Sequence, residues 1–342
     1  MNDVIREFEQ RAQRGDIEAN LALGSHFEAH GQSRLARNWY ARAAKLGSLA
    51  AERSLAINLL IQNPIVQVEG VSMLLVAADK GDAEAAYVCG MLAAQDAKLE
   101  DRWKIAREWL ERAAGLGWAS AREQLEFLGP DFRAGNVSAL AGGLPVHSVS
   151  EAARIFIVEN CAAAETCDWL IERARPRMRR ATVYNREDSG ARIDEARSNS
   201  AIAFNIAQSD MVLMLLRERI AATTGLSLAS MEPTSVLHYA PGEQFKPHYD
   251  FLNPDVPGYA LERTTKGQRV ATFLLYLNDD FEGGETDFPL LNYRYKGRKG
   301  DALLFWNVDP SGASDLQTLH AGLPTSQGEK WLLSQWLRER VR

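Results

Sequence analysis

In the segment Pro247-His248-Tyr249-Asp250 an imidazole and a carboxylate stand two residues apart. On an extended strand that spacing sends both side chains to one face, where both can reach a single metal ion. A third ligand is needed. Of the other histidines, His26 and His30 lie in a helical N-terminal region, His147 in a Gly/Pro-rich stretch, and His238 beside the candidate strand. His320, just ahead of the last strand-like run, is the natural candidate. Two imidazoles and one carboxylate leave three adjacent coordination positions open, as in non-haem Fe(II) oxygenases, and zinc hydrolysis is the less favoured chemistry. A His-x-Asp pair alone is weak evidence, since surface histidine and aspartate are common.

Lys330 adds to it by opening the apolar run Lys330-Trp331-Leu332-Leu333-Ser334-Gln335-Trp336-Leu337. Alternation puts Lys330, Leu332, Ser334 and Trp336 on one face. An ammonium turned into a barrel is costly unless an anion meets it. A bound dicarboxylate would be such an anion, with Tyr239 and Thr286 donating further hydrogen bonds. The alternative is a lysine at the strand mouth with its head in water.

These side chains need strands to present them. Strand-like runs occur at residues 154–158, 235–239, 244–250, 269–277, 302–307 and 330–337, separated by Pro/Gly/Asn/Asp turns. Helices are expected at 161–174 and at 209–223, the latter capped by Ser209 and closed by Gly225. Helices followed by many strands predict a β-sandwich or barrel braced by helices.

The N-terminal third has a different texture. The phrases Gly15-Asp16-Ile17-Glu18-Ala19, Gly47-Ser48-Leu49-Ala50-Ala51, Gly81-Asp82-Ala83-Glu84-Ala85 and Gly117-Trp118-Ala119-Ser120-Ala121 recur at spacings of 32, 34 and 36 residues. That period predicts stacked helix-turn-helix units, with each glycine ending a helix and Asp16 or Asp82 capping the next. The helix Ala106-Arg107-Glu108-Trp109 echoes Ala36-Arg37-Asn38-Trp39. These units resemble Sel1-like repeats, relatives of the tetratricopeptide class. The expected layout is a repeat domain at 1–128, a linker at 129–150 and a second domain at 151–342.

The 342 residues are 46% hydrophobic and 25% charged, which excludes disorder and fits two globular domains. A net charge of −6 implies no nucleic-acid partner. Three cysteines without a CxxC pair argue against a disulfide framework and for a reducing, cytoplasmic setting. The first 16 residues are charged throughout and no apolar run approaches ~20 residues, so neither a signal peptide nor a membrane span is expected.

The ordered motifs from residue 239 on resemble the prolyl 4-hydroxylase family of Fe(II)/2-oxoglutarate dioxygenases. They are Tyr239-Ala240-Pro241-Gly242-Glu243-Gln244-Phe245-Lys246-Pro247-His248-Tyr249-Asp250, Gln268-Arg269-Val270-Ala271-Thr272, Gly283-Gly284-Glu285-Thr286-Asp287, Gly300-Asp301-Ala302 and His320-Ala321-Gly322 with Gly328-Glu329-Lys330-Trp331. The similarity covers about residues 150–342. It implies a double-stranded β-helix, or jelly roll, with Fe(II) on His248, Asp250 and His320. The C5 carboxylate of 2-oxoglutarate would lie on Lys330, Tyr239 and Thr286 would line the cosubstrate pocket, and Trp336 would flank it. Arg269 matches a position associated with peptide substrate, and residues 184–197 correspond to a loop that folds over it. Several relatives carry tyrosine where this chain has Phe245, removing a donor from the substrate groove. O2 would be the second cosubstrate and ascorbate the reductant. The expected reaction is hydroxylation of a protein or peptide residue, foremost proline, with the repeats recruiting the target. Hydroxylation of a free amino acid or small metabolite, and an idle repeat-based scaffold, are the rival readings.

Overall fold

The computed structural model describes residues 2–62, 67–184, 191–192 and 195–339. Helices come first: α1 (Asn2–Gln13), α2 (Ile17–Ala29), α3 (Ser33–Lys45), α4 (Leu49–Gln62), α5 (Gln67–Asp79), α6 (Ala83–Gln95), α7 (Arg102–Gly115) and α8 (Ala119–Arg133). The periodic glycines sit where a helix must end: Gly15, Gly47, Gly81 and Gly117 have φ between 87° and 96°, a region that strains any residue with a side chain. Asp16 and Asp82 cap the helices that follow, accepting from the backbone N–H of Ala19 (3.0 Å) and Ala85 (2.8 Å). Between helices the approach is close. A Cβ at Gly24 of α2 would overlap the buried ring of Tyr40 on α3, so glycine there lets an aromatic fill the hairpin.

The helical unit is not continuous in sequence. It comprises Met1–Val137 together with Ile206–Met214, and the second unit holds Ser138–Asn205 and Leu215–Arg342. Buried hydrogen bonds fasten the returning segment: Tyr87 Oη donates to the Ser209 carbonyl (2.7 Å), Gln124 Nε2 donates to Tyr87 Oη (3.1 Å), and Gln124 Oε1 accepts from the Met211 N–H (2.8 Å). Residues 129–150 hold the end of α8, a short helix α9 (Val137–Ala141) and the first strand, β1 (His147–Ser150).

The second unit is antiparallel. Its strands are β2 (Ile155–Val158), β3 (Arg179–Arg180), β4 (Val183–Tyr184), β5 (Ala191–Arg192), β6 (Ser200–Ala203), β7 (Ser235–Tyr239), β8 (Phe245–His248), β9 (Arg269–Tyr276), β10 (Glu282–Gly283), β11 (Thr286–Phe288), β12 (Tyr293–Tyr295), β13 (Ala302–Trp306), β14 (His320–Gly322), β15 (Thr325–Gln327) and β16 (Lys330–Arg338). An eight-stranded sheet runs β1-β2-β13-β9-β16-β7-β6-β3 and a four-stranded sheet β12-β11-β14-β8, the double-stranded β-helix plan. Three helices accompany them: α10 (Ala164–Ala174), α11 (Met211–Thr224) and α12 (Ala260–Lys266). Apolar residues of facing strands fill the interior, among them Leu274, Phe288, Leu303 and Phe305.

One local expectation is corrected. The residue capping α11 is Asp210 rather than Ser209, since its Oδ1 accepts from the Leu213 N–H at 2.8 Å. Both residue types cap well, and the register of the first turn decides between them. No helix among the described residues is long and apolar enough to cross a membrane.

Candidate active site

The two imidazoles are brought together by strand register. His320 on β14 lies directly opposite His248 on β8, with ring centroids 4.3 Å apart. Asp250 follows two residues after His248 and completes a cluster whose ligand atoms all lie within 4.8 Å of one another. His248 Nε2 is 3.7 Å from Asp250 Oδ1, and His320 Nε2 is 3.6 Å from Asp250 Oδ2. Both Nδ1 atoms are engaged elsewhere. That of His248 meets the Lys246 carbonyl at 2.8 Å and that of His320 the Thr318 carbonyl at 2.9 Å. A carbonyl can only accept, so each ring carries its proton on Nδ1 and turns an Nε2 lone pair inward.

Electrostatics agree with that tautomer. Burial, with neighbouring His320 adding to it, pushes the His248 imidazole down to about 3, so it is neutral. Burial works against ionisation of Asp250, but the two histidines and the Thr272 hydroxyl outweigh it and hold the carboxyl below its usual range. Thr272 Oγ1 donates to Asp250 Oδ2 at 2.8 Å, and Asn307 Nδ2 donates to Thr272 Oγ1 at 3.0 Å. Two neutral nitrogens and an oriented carboxylate, with Phe288 and Phe305 against the His320 ring, suit a divalent transition metal beside an apolar wall.

Lys330 stands directly opposite Tyr239 across β16 and β7, and both are buried. The ammonium is fully enclosed rather than at a wet strand mouth. Nζ donates to the Gly284 carbonyl and lies 5.3 Å from the Tyr239 ring and 5.5 Å from that of Tyr276. Burial drags its pKa from 10.5 down to about 7, opposed only in part by Glu285. Thr286 Oγ1 is 2.9 Å from Tyr276 Oη, and Thr286 pairs with Gly322, two residues beyond His320. A Cβ added at Gly322 would lie 3.4 Å from Tyr239 Oη, so Tyr239, Thr286 and the end of β14 form one wall. Burial raises the Tyr239 phenol to about 12, which keeps it a hydrogen-bond donor.

Trp336 is half-buried opposite Thr272, with the Arg269 guanidinium 3.6 Å above its ring. Arg269 itself is buried: Nε and Nη2 donate to the two carboxylate oxygens of Glu232 at 2.6 and 3.1 Å. Phe245 stacks on His248 (centroids 3.5 Å, 15°), and the Arg197 guanidinium lies 4.8 Å from the Phe245 centroid. Residues 185–190 and 193–194 of the expected loop lie outside the described residues. Sequence reasoning missed Thr272, Asn307, Tyr276, Glu232 and Arg197. For Thr272 one signal exists, a hydroxyl inside the apolar run Val270-Ala271-Thr272-Phe273-Leu274.

Comparison with known proteins gives concordant results. The family described as the 2OG-Fe(II) oxygenase superfamily matches residues 234–338. Prolyl 4-hydroxylase 1 of Arabidopsis thaliana is 33% identical over 214 residues, spanning 58% of this chain and 74% of the relative. Probable prolyl 4-hydroxylase 3 of the same plant is 34% identical over 205 residues, spanning 54% and 69%. Among solved structures, the viral collagen prolyl hydroxylase of Paramecium Bursaria Chlorella virus-1 in its 2OG complex covers 55% of this chain and 98% of its own, at 27% identity and TM-score 0.43. A Sel1 repeat protein from Oxalobacter formigenes covers 37% of this chain and 54% of its own, at 26% identity and TM-score 0.32.

Proposed function

The chain belongs to the prolyl 4-hydroxylase family of Fe(II)- and 2-oxoglutarate-dependent dioxygenases, and on that premise we propose that it hydroxylates proline in a protein or peptide. His248, Asp250 and His320 hold the iron. Lys330, Tyr239 and Thr286 receive the cosubstrate, and Trp336 flanks it. Arg269, locked to Glu232, and Phe245 border the substrate groove. The bound metal would activate O2, the oxidant, one atom of which would enter the proline as hydroxyl and the other the succinate formed with CO2 as 2-oxoglutarate is oxidised. Ascorbate would serve as the reductant that restores Fe(II) after turnovers without substrate, since 2-oxoglutarate itself supplies the two electrons of the coupled reaction.

The chain's own groups do the positioning. The Lys246 and Thr318 carbonyls fix both imidazoles in the tautomer that presents Nε2. Thr272 and Asn307 set the carboxylate of Asp250. Lys330 gains an anion that its burial otherwise denies it, which favours a dicarboxylate over a neutral ligand. Phe288 and Phe305 keep water from the His320 side of the cavity.

The repeat region, residues 1–128, recruits the target and is joined by the 129–150 segment to the catalytic region at 151–342. With Cys89, Cys161 and Cys167 free and buried, a cytoplasmic setting fits. The observation carrying this reading is the convergence of three ligand atoms with both Nδ1 protons tied to carbonyls. Its test is succinate release with Fe(II), 2-oxoglutarate and a proline peptide, read with the one-oxygen mass gain of that peptide. His248→Ala and Asp250→Ala must abolish both. Oxygen gain on free amino acids but on no peptide would refute the substrate assignment.

A further inference from the structure

The segment Arg173-Ala174-Arg175-Pro176-Arg177-Met178-Arg179-Arg180 carries five arginines and no acid, in a chain whose net charge is −6. Its end is β3, the last strand of the eight-stranded sheet, paired on one side only among the described residues. Arg175 is taken up by Glu329 at 3.3 Å and by the Trp331 ring at 4.7 Å. Arg177, Arg179 and Arg180 are exposed and have no carboxylate partner among the described residues. Arg177 and Arg179 touch only backbone carbonyls, those of Arg173 (3.0 Å) and Met178 (2.8 Å).

This edge connects to the active site through short contacts. The Thr182 carbonyl accepts from Arg197 Nη1 at 3.2 Å, Arg197 lies over Phe245, and Phe245 stacks on His248. Across the sheet Arg180 aligns with Ser200, His238 and Trp331, the last adjoining Lys330. Three strand spacings of ~4.8 Å separate β3 from β16, roughly four residues of extended peptide.

We propose that the Arg177-Arg179-Arg180 edge binds acidic side chains of the protein substrate about four residues from the proline that is hydroxylated, with the peptide running across the strand direction between the site and β3. The proposal rests on the prolyl reading above. Charge on an edge strand also deters aggregation, but that role asks for one or two charges and does not select guanidinium groups, whose planar fork matches carboxylates. The chain's overall negative charge disfavours nucleic acid as the occupant.

The experiment uses the full-length chain with Fe(II) and 2-oxoglutarate under anaerobic conditions. It measures anisotropy of fluorescein-labelled proline peptides carrying Glu, Gln or Lys four positions from proline. The Glu peptide should bind about 2- to 10-fold tighter than the Gln peptide, and the Lys peptide most weakly, given the modest worth of each exposed ion pair. High salt should erase the preference, as should the triple variant Arg177→Ser, Arg179→Ser, Arg180→Ser. That variant should leave Gln-peptide binding and uncoupled succinate release as in wild type. Equal affinity for Glu and Gln peptides overturns the proposal. So does an oligonucleotide that displaces the Glu peptide at lower concentration than unlabelled peptide. A Glu preference with no oxygen gain in air upholds the basic edge as an acid-binding surface and defeats the prolyl reading.

Discussion

Replacing Lys330 by methionine should move stability and cosubstrate binding in opposite directions. In the ligand-free fold Lys330 titrates near 7 instead of 10.5 because it is buried. At ~1.4 kcal/mol per pH unit that gap amounts to roughly 5 kcal/mol. The sign follows from proton binding. Between about pH 7 and 10.5 the unfolded lysine keeps its proton while the folded one has lost it, so this group makes the fold more stable as pH rises through that window. Below pH 7 both states are protonated and the full cost is borne. Lys330→Met removes the cost but strands the Gly284 carbonyl, a loss of about 1–3 kcal/mol. The ligand-free variant should therefore be about 2–4 kcal/mol more stable than wild type near pH 6.5, a rise in melting temperature of roughly 5–10 °C. The gain should shrink as pH rises. The same variant should lose at least ~100-fold in 2-oxoglutarate affinity, since a carboxylate would be left without its buried partner. In wild type, affinity should fall up to ~10-fold per pH unit above 7, because binding must then bring a proton to Lys330. Calorimetric melts across pH, with and without 2-oxoglutarate, read both effects. A variant that melts below wild type near pH 6.5 and still binds 2-oxoglutarate normally would refute the reasoning.

Other consequences can be checked in the same way. Thr272→Val removes the donor that orients Asp250 and should weaken metal affinity about 10- to 100-fold, seen as a higher Fe(II) requirement for succinate release, while Thr272→Ser should restore it. Gly24→Ala, a change that stabilises an ordinary exposed helix by up to ~1 kcal/mol, should here destabilise by about 1–3 kcal/mol, because the new methyl meets the Tyr40 ring; a melting temperature above wild type would contradict that packing. Tyr87→Phe removes both buried hydrogen bonds that join Gln124, Tyr87 and Ser209 and should cost about 1–3 kcal/mol in denaturant unfolding.

How much was legible in the sequence depended on the range of the cause. The repeats showed themselves because one local event, a left-handed glycine followed by a capping aspartate, recurs at a near-constant interval. The same period held a further signal: Gly24 and Gly90 each stand eight residues past a capping aspartate, and each faces the next helix at close approach. The long strands β7, β9, β13 and β16 were legible from runs of five to nine apolar and β-branched residues. The short strands β11, β12 and β14, of three residues each, are too brief for alternation to declare them, so the smaller sheet could not be drawn. Segment 206–214 was read as belonging with the second domain, and its attachment rests on contacts such as Tyr87 to Ser209, 122 residues apart, which no local pattern encodes. Arg269 was visible as a cation near the site, whereas Glu232, which holds it, lies 37 residues upstream and carries no motif.

The site's polar groups are distributed so that neither sheet could build it alone. His248 and His320 come from β8 and β14 of the smaller sheet, and Asp250 follows β8. Thr272, which aims Asp250, comes from β9 of the larger sheet, with Asn307 just beyond β13 behind it. The wall proposed for the cosubstrate repeats the pattern in reverse: Lys330 on β16 of the larger sheet bonds the Gly284 carbonyl just ahead of β11, beside Thr286 of the smaller one. Asp250 and Lys330 are thus answered across the interior, whereas each imidazole Nδ1 is held by a carbonyl two residues earlier in its own segment. Asp250 reaches the larger sheet through Thr272 and Lys330 reaches the smaller one through the Gly284 carbonyl, so a metal on Asp250 and an anion on Lys330 both act across the same interior. Metal and 2-oxoglutarate should then each stabilise the catalytic unit, by RT ln(1 + [L]/Kd) if independent, read as a rise in melting temperature. Because both load one spacing, their joint effect should exceed the sum, and a strictly additive pair of shifts would mean that the two sites are held by the fold without reference to each other.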